Sequence, residues 1–458
     1  MSVIQDSNGS DESIQIHMLC FEGPDDYSRA GGLATRVTGL TQALADAGYD
    51  THLWFIGDPD SPGHEVRRNV KLHRWCQWIS QYHRGGVYDG EDGKQSDFAA
   101  SLPPFLIEEL VAPSLRRGAR VVILAEEWQT AGAVLHLDGL LRSAGVRDSV
   151  AIFWNANNTC GFQRVDWGRL ARAAVITTVS RYMRHWMWPL GVDPLVIPNG
   201  LAPEDFETPE RDAVAEFRRA VRDRVVLGKV ARWDPDKRWL LAIDIVGELK
   251  RHGRRPLLIA RGGVEAHGAE VLTRAAAAGL RVIERSLAQA GVPGLLGSLS
   301  QAANADVVSL RSPLSPDARQ LLFRGAAAVL ANSGREPFGL VGLEAMAAEG
   351  LACTGGTGED YAVPGWNALV LQSQDPREFV SLFHRLRADP TEERAVRRRG
   401  RSTAKQYAWA EIIHRNLAPR LDLANANNSL TWGSTPLRAG PKHARRFVPR
   451  SIPARQRW

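Results

Sequence analysis

Ala331-Asn-Ser-Gly-Arg-Glu-Pro-Phe-Gly-Leu-Val-Gly-Leu-Glu-Ala-Met-Ala-Ala-Glu-Gly350 is the stretch whose reading decides the fold. An apolar strand-like run, 327–330, leads into it. A loop rich in Gly and Pro follows, and residues 340–348 then read as an apolar helix. Strand, tight glycine turn and helix start form the repeating unit of parallel α/β sheets. The same stretch carries two carboxylates eight positions apart, Glu336 in the loop and Glu344 inside the helix. Glu344 sits among Leu343, Ala345 and Met346, where a carboxylate is costly unless a partner holds it.

Working outward, the strand–helix alternation runs along the whole chain. Strand-like runs are read at 13–21, 51–56, 120–125, 150–154 and 174–179, and Ser180 is a good N-cap for the helix that follows the last of them. Ile197-Pro-Asn-Gly-Leu-Ala-Pro203 breaks the pattern with two prolines and a glycine. The alternation restarts at 225–230, with a helix over 237–251 and strands at 256–260, 280–283, 306–310, 327–330 and 369–371. Two similar α/β halves imply two Rossmann-like domains with parallel sheets facing across a cleft, with ligands at the carboxyl ends of the strands. The expected division is a disordered N-terminus over 1–12, a Rossmann-like domain over 13–200 and a second over 201–400. Helices over 401–425 would cross back to the first domain, ahead of a basic disordered tail over 426–458.

Composition narrows the class. At 458 residues the chain is too long for one compact core. No run of about 18 apolar residues occurs, and residues 1–13 lack an apolar signal core. Cys20, Cys76, Cys160 and Cys353 are scattered, with no Cys-x-x-Cys pair, so a zinc or redox motif is not supported and a cytoplasmic location is expected. Seven cations and no carboxylate fall between 426 and 458; removing them from the chain's +6 leaves −1 for the rest. The basic balance therefore belongs to the tail, and no nucleic-acid-binding surface is expected on the body. The tail alone has the charge for a weak contact with a membrane surface or an acidic partner.

Four features carry chemistry. Gly31 and Gly32 lie between the first strand and first helix, where backbone and helix start can approach an anion, although no Gly-x-Gly-x-x-Gly fingerprint is present. Arg232 and Lys237 lie five apart across a Pro turn at a strand end, and two converging cations suit a diphosphate. Pro337-Phe338-Gly339-Leu340 opens a helix whose free N–H groups would face an anion, with Glu336 before it and Glu344 within it. Carboxylates there accept hydrogen bonds from vicinal hydroxyls. Thr354-Gly-Gly-Thr-Gly-Glu-Asp360 is a second glycine-rich loop that could join the same pocket. Asp58-Pro-Asp60 and Asp234-Pro-Asp236 have metal-binding Asp-x-Asp spacing but read as Asp-Pro turns, and no metal is expected. Trp233 beside Arg232 is placed to narrow the pocket mouth.

In this order the features resemble the retaining nucleotide-sugar glycosyltransferases of the glycosyltransferase family 4 type, with glycogen-synthase-like elements, over roughly residues 14 to 424. Glu336-Pro-Phe-Gly-Leu-Val-Gly-Leu-Glu344 resembles the family's Glu-x7-Glu motif, and Arg232 with Lys237 its phosphate-binding pair. Gly31-Gly32 is similar to its N-terminal glycine loop, and Glu127-Trp-Gln-Thr-Ala131 to an Asp-Trp-x-Thr-Ala segment of glycogen synthases. The resemblance implies a GT-B architecture. It implies a nucleotide-diphosphate sugar as co-substrate, a carbohydrate or small-molecule acceptor, retention without a metal, and no further cofactor. Glu336, Arg232 and Lys237 would be catalytic. Gly31, Gly32, Phe338, Gly339, Leu340 and Glu344 would complete the donor site, with Glu336 on the sugar and Glu344 on the ribose. Asn155, Asn157, Glu127 and Trp128 would contact the acceptor or sugar. Asn155-Ala-Asn-Asn158 departs from the family, which often carries a His there. A twin-Rossmann nucleotide-sugar epimerase, a glycan phosphorylase and an inactive sugar-nucleotide-binding protein are the competing readings.

Overall fold

The computed structural model describes residues 14–300, 302 and 304–421. The segments expected to be disordered, 1–12 and 426–458, and the end of the 401–425 segment lie outside the described residues. Two sheets organise the rest. The first contains β1 (Ile14–Leu19), β2 (Asp50–Ile56), β3 (His64–Arg67), β4 (Val70–Trp75), β5 (Arg120–Glu126), β6 (Val150–Ala156), β7 (Val175–Thr178) and β8 (Leu195–Val196). Its order is β3-β4-β2-β1-β5-β6-β7-β8. Only the β3–β4 pairing is antiparallel. The second contains β9 (Val225–Val230), β10 (Pro256–Arg261), β11 (Val282–Arg285), β12 (Val307–Leu310), β13 (Ala328–Ala331), β14 (Ala352–Thr354) and β15 (Leu369–Val370). It runs β11-β12-β10-β9-β13-β14-β15 and is parallel throughout.

The central strands are covered on both faces, which is why they read as unbroken apolar runs. Each sheet reverses its strand order once, between β1 and β5 in the first and between β9 and β13 in the second. Crevices form at such reversals because the flanking loops diverge to opposite faces. The segments singled out by sequence follow these strands: Gly31-Gly32 after β1, Glu127 after β5, Arg232 and Lys237 after β9, Glu336 after β13.

The carboxyl ends of the two sheets meet. Ser180 caps the helix Arg181–Met187 after β7, its side chain accepting from Met183 N–H. Arg181 at that helix start donates through its backbone N–H (2.7 Å) and Nε (3.2 Å) to Asp360, in the loop after β14. The chain also returns at its far end. Leu201 N–H donates to the Tyr407 carbonyl at 2.8 Å, and Trp409 N–H to the Leu201 carbonyl at 3.0 Å. Trp409, Ile412, Ile413 and Leu417 then share a buried cluster with Ile16, Val37 and Leu40 of the first sheet and its first helix, Gly32–Asp46.

Candidate active site

The second sheet's reversal builds the site around one ion pair. Asp234 caps a single tight helical turn, Pro235–Lys237, by accepting from Asp236 N–H at 2.8 Å. That turn aims Lys237 across to the neighbouring strand end, where its Nζ donates to Glu336 Oε2 at 2.6 Å. Both side chains keep about a fifth of their surface exposed (22% and 18%), so a ligand can reach them. Asp236 welds the two loops, accepting from Arg335 N–H at 3.2 Å and, through its carbonyl, from Gly334 N–H at 2.7 Å. Both Asp residues of this Asp-x-Asp spacing thus serve turn geometry. Arg232 is exposed, and its carbonyl accepts from Trp239 Nε1 at 2.7 Å. The structure therefore joins Lys237 to Glu336 and leaves the Arg232 side chain outside that pair.

The two glycine-rich loops form one unit. Glu336 N–H donates to Thr357 Oγ1 at 2.8 Å, and that hydroxyl donates back to the Glu336 carbonyl at 3.2 Å. Gly339 sits at φ 83°, and a Cβ there would lie 2.7 Å from Glu359 Cγ. A Cβ on Gly358 would lie 2.2 Å from the carbonyl oxygens of Glu336 and Pro337. Phe338 is buried, its ring 5.9 Å from Tyr361 and 6.1 Å from Tyr407. It anchors the loop from below and presents little surface to a ligand. Tyr361 donates to the Gly339 carbonyl. Leu340 then opens the helix Leu340–Ala347, half-buried.

Two buried groups at this crevice were not singled out by sequence. Burial, with the Glu336 charge beside it, pushes the Glu359 carboxyl up to about 7. Its Oε1 is buried without a hydrogen-bond partner among the described residues. Lys229, inside β9, is 1% exposed; it donates to the Leu330 carbonyl (3.0 Å) and to Asn332 Oδ1 (3.1 Å). Burial brings its ammonium down to about 7. A lysine within Val-Val-Leu-Gly-Lys-Val was the available signal.

The partner required by Glu344 is Arg319, at 3.6 Å, which also contacts Asp205 at 3.3 Å. Burial still raises the Glu344 carboxyl despite this cation.

At the first sheet's reversal, Glu22 fills the anion position of the glycine loop. Its Oε2 accepts from the N–H groups of Ala30 (3.3 Å), Gly31 (3.0 Å) and Ala34 (3.0 Å). Tyr88 donates to its other oxygen at 2.6 Å. The amide of Gly31 is thus occupied by a carboxylate of the same chain, while Gly31 and Gly32 remain exposed with open space on their Cβ sides.

Asn155, at the end of β6, and Asn157, just after it, face Glu126. Asn155 Nδ2 donates to it at 2.9 Å and Asn157 Nδ2 at 2.7 Å, while Arg36 Nε approaches from the other side at 3.1 Å. Asn155 is buried and also accepts from Thr177 Oγ1 at 2.8 Å, so its amide is framework, turned away from solvent. Glu127 holds a backbone conformation rare for a side-chain-bearing residue, φ 69°. Its Oε1 accepts from Asn157 N–H at 2.6 Å, and burial pushes its carboxyl up to about 8. Trp128 is 5% exposed, wedged under Gly161 with the Arg164 guanidinium 4.6 Å from its ring centroid.

Trp233 does not narrow a mouth. It is buried against Trp239 (4.0 Å between centroids) and against Gly262 and Gly268, where the absence of side chains admits its ring. Among the described residues no cluster of three His, Cys, Asp or Glu side chains could hold a metal ion. No helix there is long and apolar enough to cross a membrane.

No family model matches the sequence, and no curated protein matches it. Solved structures do match in fold. Sucrose-phosphate synthase of Thermosynechococcus elongatus superposes with a TM-score of 0.62 at 18% identity, covering 90% of this chain and all of that one. HepE of Anabaena in complex with UDP-glucose gives 0.60 at 14%, covering 89% of this chain and 99% of that chain. The UDP-forming trehalose-phosphate synthase of Burkholderia xenovorans, with glucose-6-phosphate, gives 0.60 at 15%, covering 90% and 100%. The chain has the two-domain GT-B fold of these glycosyltransferases.

Proposed function

We propose that this chain is a glycosyltransferase that moves a hexosyl group from a nucleotide-diphosphate sugar to an acceptor hydroxyl, with retention and without a metal, in the manner of glycosyltransferase family 4. The Lys237–Glu336 pair at the second sheet's reversal carries the reading. A cation and a carboxylate, half-open at a strand-end crevice, offer the two things a sugar diphosphate needs: positive charge for the leaving group and acceptors for sugar hydroxyls.

Lys237 would shift from Glu336 toward the diphosphate as the anomeric C–O bond lengthens, and Arg232 would swing in beside it. Glu336, released from the lysine, would hold the sugar hydroxyls. The acceptor oxygen would bond to the anomeric carbon on the face the diphosphate leaves, and its proton would pass to a phosphate oxygen. Gly32, Gly339 and the start of the helix at Leu340 would admit the phosphates closely. Glu344 would share its carboxylate between Arg319 and the ribose. On the acceptor side, Glu127 and Asn157 fit better than Asn155, which is already committed to Glu126 and Thr177. The solved complex of HepE with UDP-glucose makes that sugar nucleotide the first donor to try.

The test is donor turnover with EDTA present. Wild-type enzyme should consume UDP-glucose only when an acceptor is supplied. Lys237→Ala and Glu336→Ala should each lose about a hundredfold or more, the effect of removing one charge-assisted contact to the transition state. Conversion without acceptor would indicate an epimerase, and unchanged rates in both variants would remove the assignment.

A further inference from the structure

The opposite end of the second sheet holds a cavity of about 640 Å³. Val226 and Ala327, at the amino ends of β9 and β13, line it, while Lys237 and Glu336 follow the carboxyl ends of those strands. A six-residue strand puts the two sites about 20 Å apart. Of the described lining residues, eight are arginines and three are carboxylates, Asp223, Glu349 and Glu393.

Four of the arginines have structural work. Arg324 pairs with Glu349 at 2.7 Å, Arg387 and Arg397 share Glu393 at 2.9 and 3.0 Å, and Arg224 donates to the Pro256 carbonyl. The other four do not. Arg218, Arg222, Arg394 and Arg398 have no ion-pair partner among the described residues, and Arg394 reaches only Thr391 Oγ1, at 3.3 Å. All four are exposed.

Folding gives little reason for that surplus. Arg218 lies in the last turn of the helix Arg211–Ala220, where a cation suits the dipole. Arg394 lies just past the first turn of the helix Pro390–Lys405, where the dipole gives a cation no support. Arg394 and Arg398 are like charges four apart on one helix, an arrangement that weakens helices, and Arg222 adds a further cation in the turn just past the helix that carries Arg218. A bound anion would offset this repulsion, and guanidinium forks suit phosphate oxygens.

We propose that this cavity binds a small phosphorylated metabolite carrying at least two negative charges, such as a sugar phosphate or a pyrophosphate compound. Its volume lies within the range of small-molecule sites. Its concavity favours a compact ligand over a nucleic-acid strand or a membrane.

Inorganic pyrophosphate is the probe, titrated calorimetrically into the full chain carrying Lys237→Ala, so that the site at the other end of the strands is already impaired. Adding Arg222→Gln, Arg394→Gln and Arg398→Gln should weaken binding by about tenfold or more, with the thermal midpoint without ligand no lower, and higher if the repulsion is felt. Arg398→Gln alone gives a smaller loss in the same direction should the combined variant not fold. Equal affinity with and without the arginines, or no binding at millimolar pyrophosphate, overturns the proposal. So does binding confined to RNA or phosphatidylserine vesicles. None of these outcomes bears on Lys237 and Glu336, whose role is read from turnover.

Discussion

Lys237 and Glu336 neutralise one another at 2.6 Å while both stay within reach of solvent. Each partner keeps a solvent-facing side, so the pair can be exchanged for a ligand. The glycines around it are structural. At Gly339 an alanine would adopt φ 83° at a cost of about 1–2 kcal/mol, and its Cβ would press on Glu359 Cγ. Gly31 is extended and open, so Gly31→Ala should stay within about 0.5 kcal/mol of wild type. Thermal unfolding of both variants checks this contrast; equal midpoints would show that Gly339 is not constrained as described. At this scale the sequence was read well where a residue's type restricts its geometry, as for Gly339 and the Asp-Pro turns. It was read less well where partners are distant in the chain. Glu344 signalled its need for a cation, but Arg319 comes from another helix, and Glu22 gave no local sign that it would occupy the amides around Gly31.

Among elements, the half of the first sheet from β1 out to its β3 edge carries an unusual row of imidazoles. His17 on β1, His52 on β2, His73 on β4 and His64 on β3 lie side by side. His52 and His73 are in hydrogen-bond contact at 2.9 Å, and His73 and His64 at 2.8 Å. Asp50 and Lys71 flank them, joined to each other at 2.6 Å. Burial, then the neighbouring His52, holds His17 well below its ordinary range, and the same causes with His64 and Lys71 bring His73 down to about 3. Both are neutral in the folded protein near pH 6, whereas the unfolded chain protonates them below about 6.5. For His73, between about 6.5 and 3, the unfolded state therefore binds more protons and stability falls as pH falls, by about 1.4 kcal/mol per pH unit; His17 acts in the same direction. Glu127 and Glu359, pushed up to about 8 and about 7, act in the opposite direction over the same window, so the loss is read as a difference: in denaturant unfolding at pH 5 and pH 7, His73→Asn should gain stability relative to wild type on going to pH 5, and an identical pH dependence of the two proteins would contradict it. This region was also the least legible in the sequence. The β3–β4 hairpin is short and polar, with an exposed edge strand. The helix Glu91–Leu106 contains Pro103 and Pro104, which by themselves announce a break. The chain instead continues through a π-helical turn, Ile107–Val111, a tertiary solution no local pattern predicts. The buried parallel strands, by contrast, were plain as apolar runs.

For the whole molecule, the decisive feature is that both sheets reverse strand order and present those reversals at their joined carboxyl ends. Chemistry read from separate stretches of sequence converges there because topology, not sequence proximity, brings β9 beside β13. The alternation of strands and helices made that architecture readable; the pairing of Lys237 with Glu336, 99 residues apart, emerged only from the fold. The account's central claim is that this crevice holds a nucleoside diphosphate, and binding tests it without knowledge of the acceptor. Calorimetric titration of UDP, ADP and GDP into wild-type protein and Lys237→Ala is the direct measurement. The account predicts that at least one nucleotide, UDP first, binds wild type and that Lys237→Ala weakens it by about tenfold or more, about 1.4 kcal/mol. Equal affinity in the two proteins, or no binding of any of the three to wild type, would contradict it.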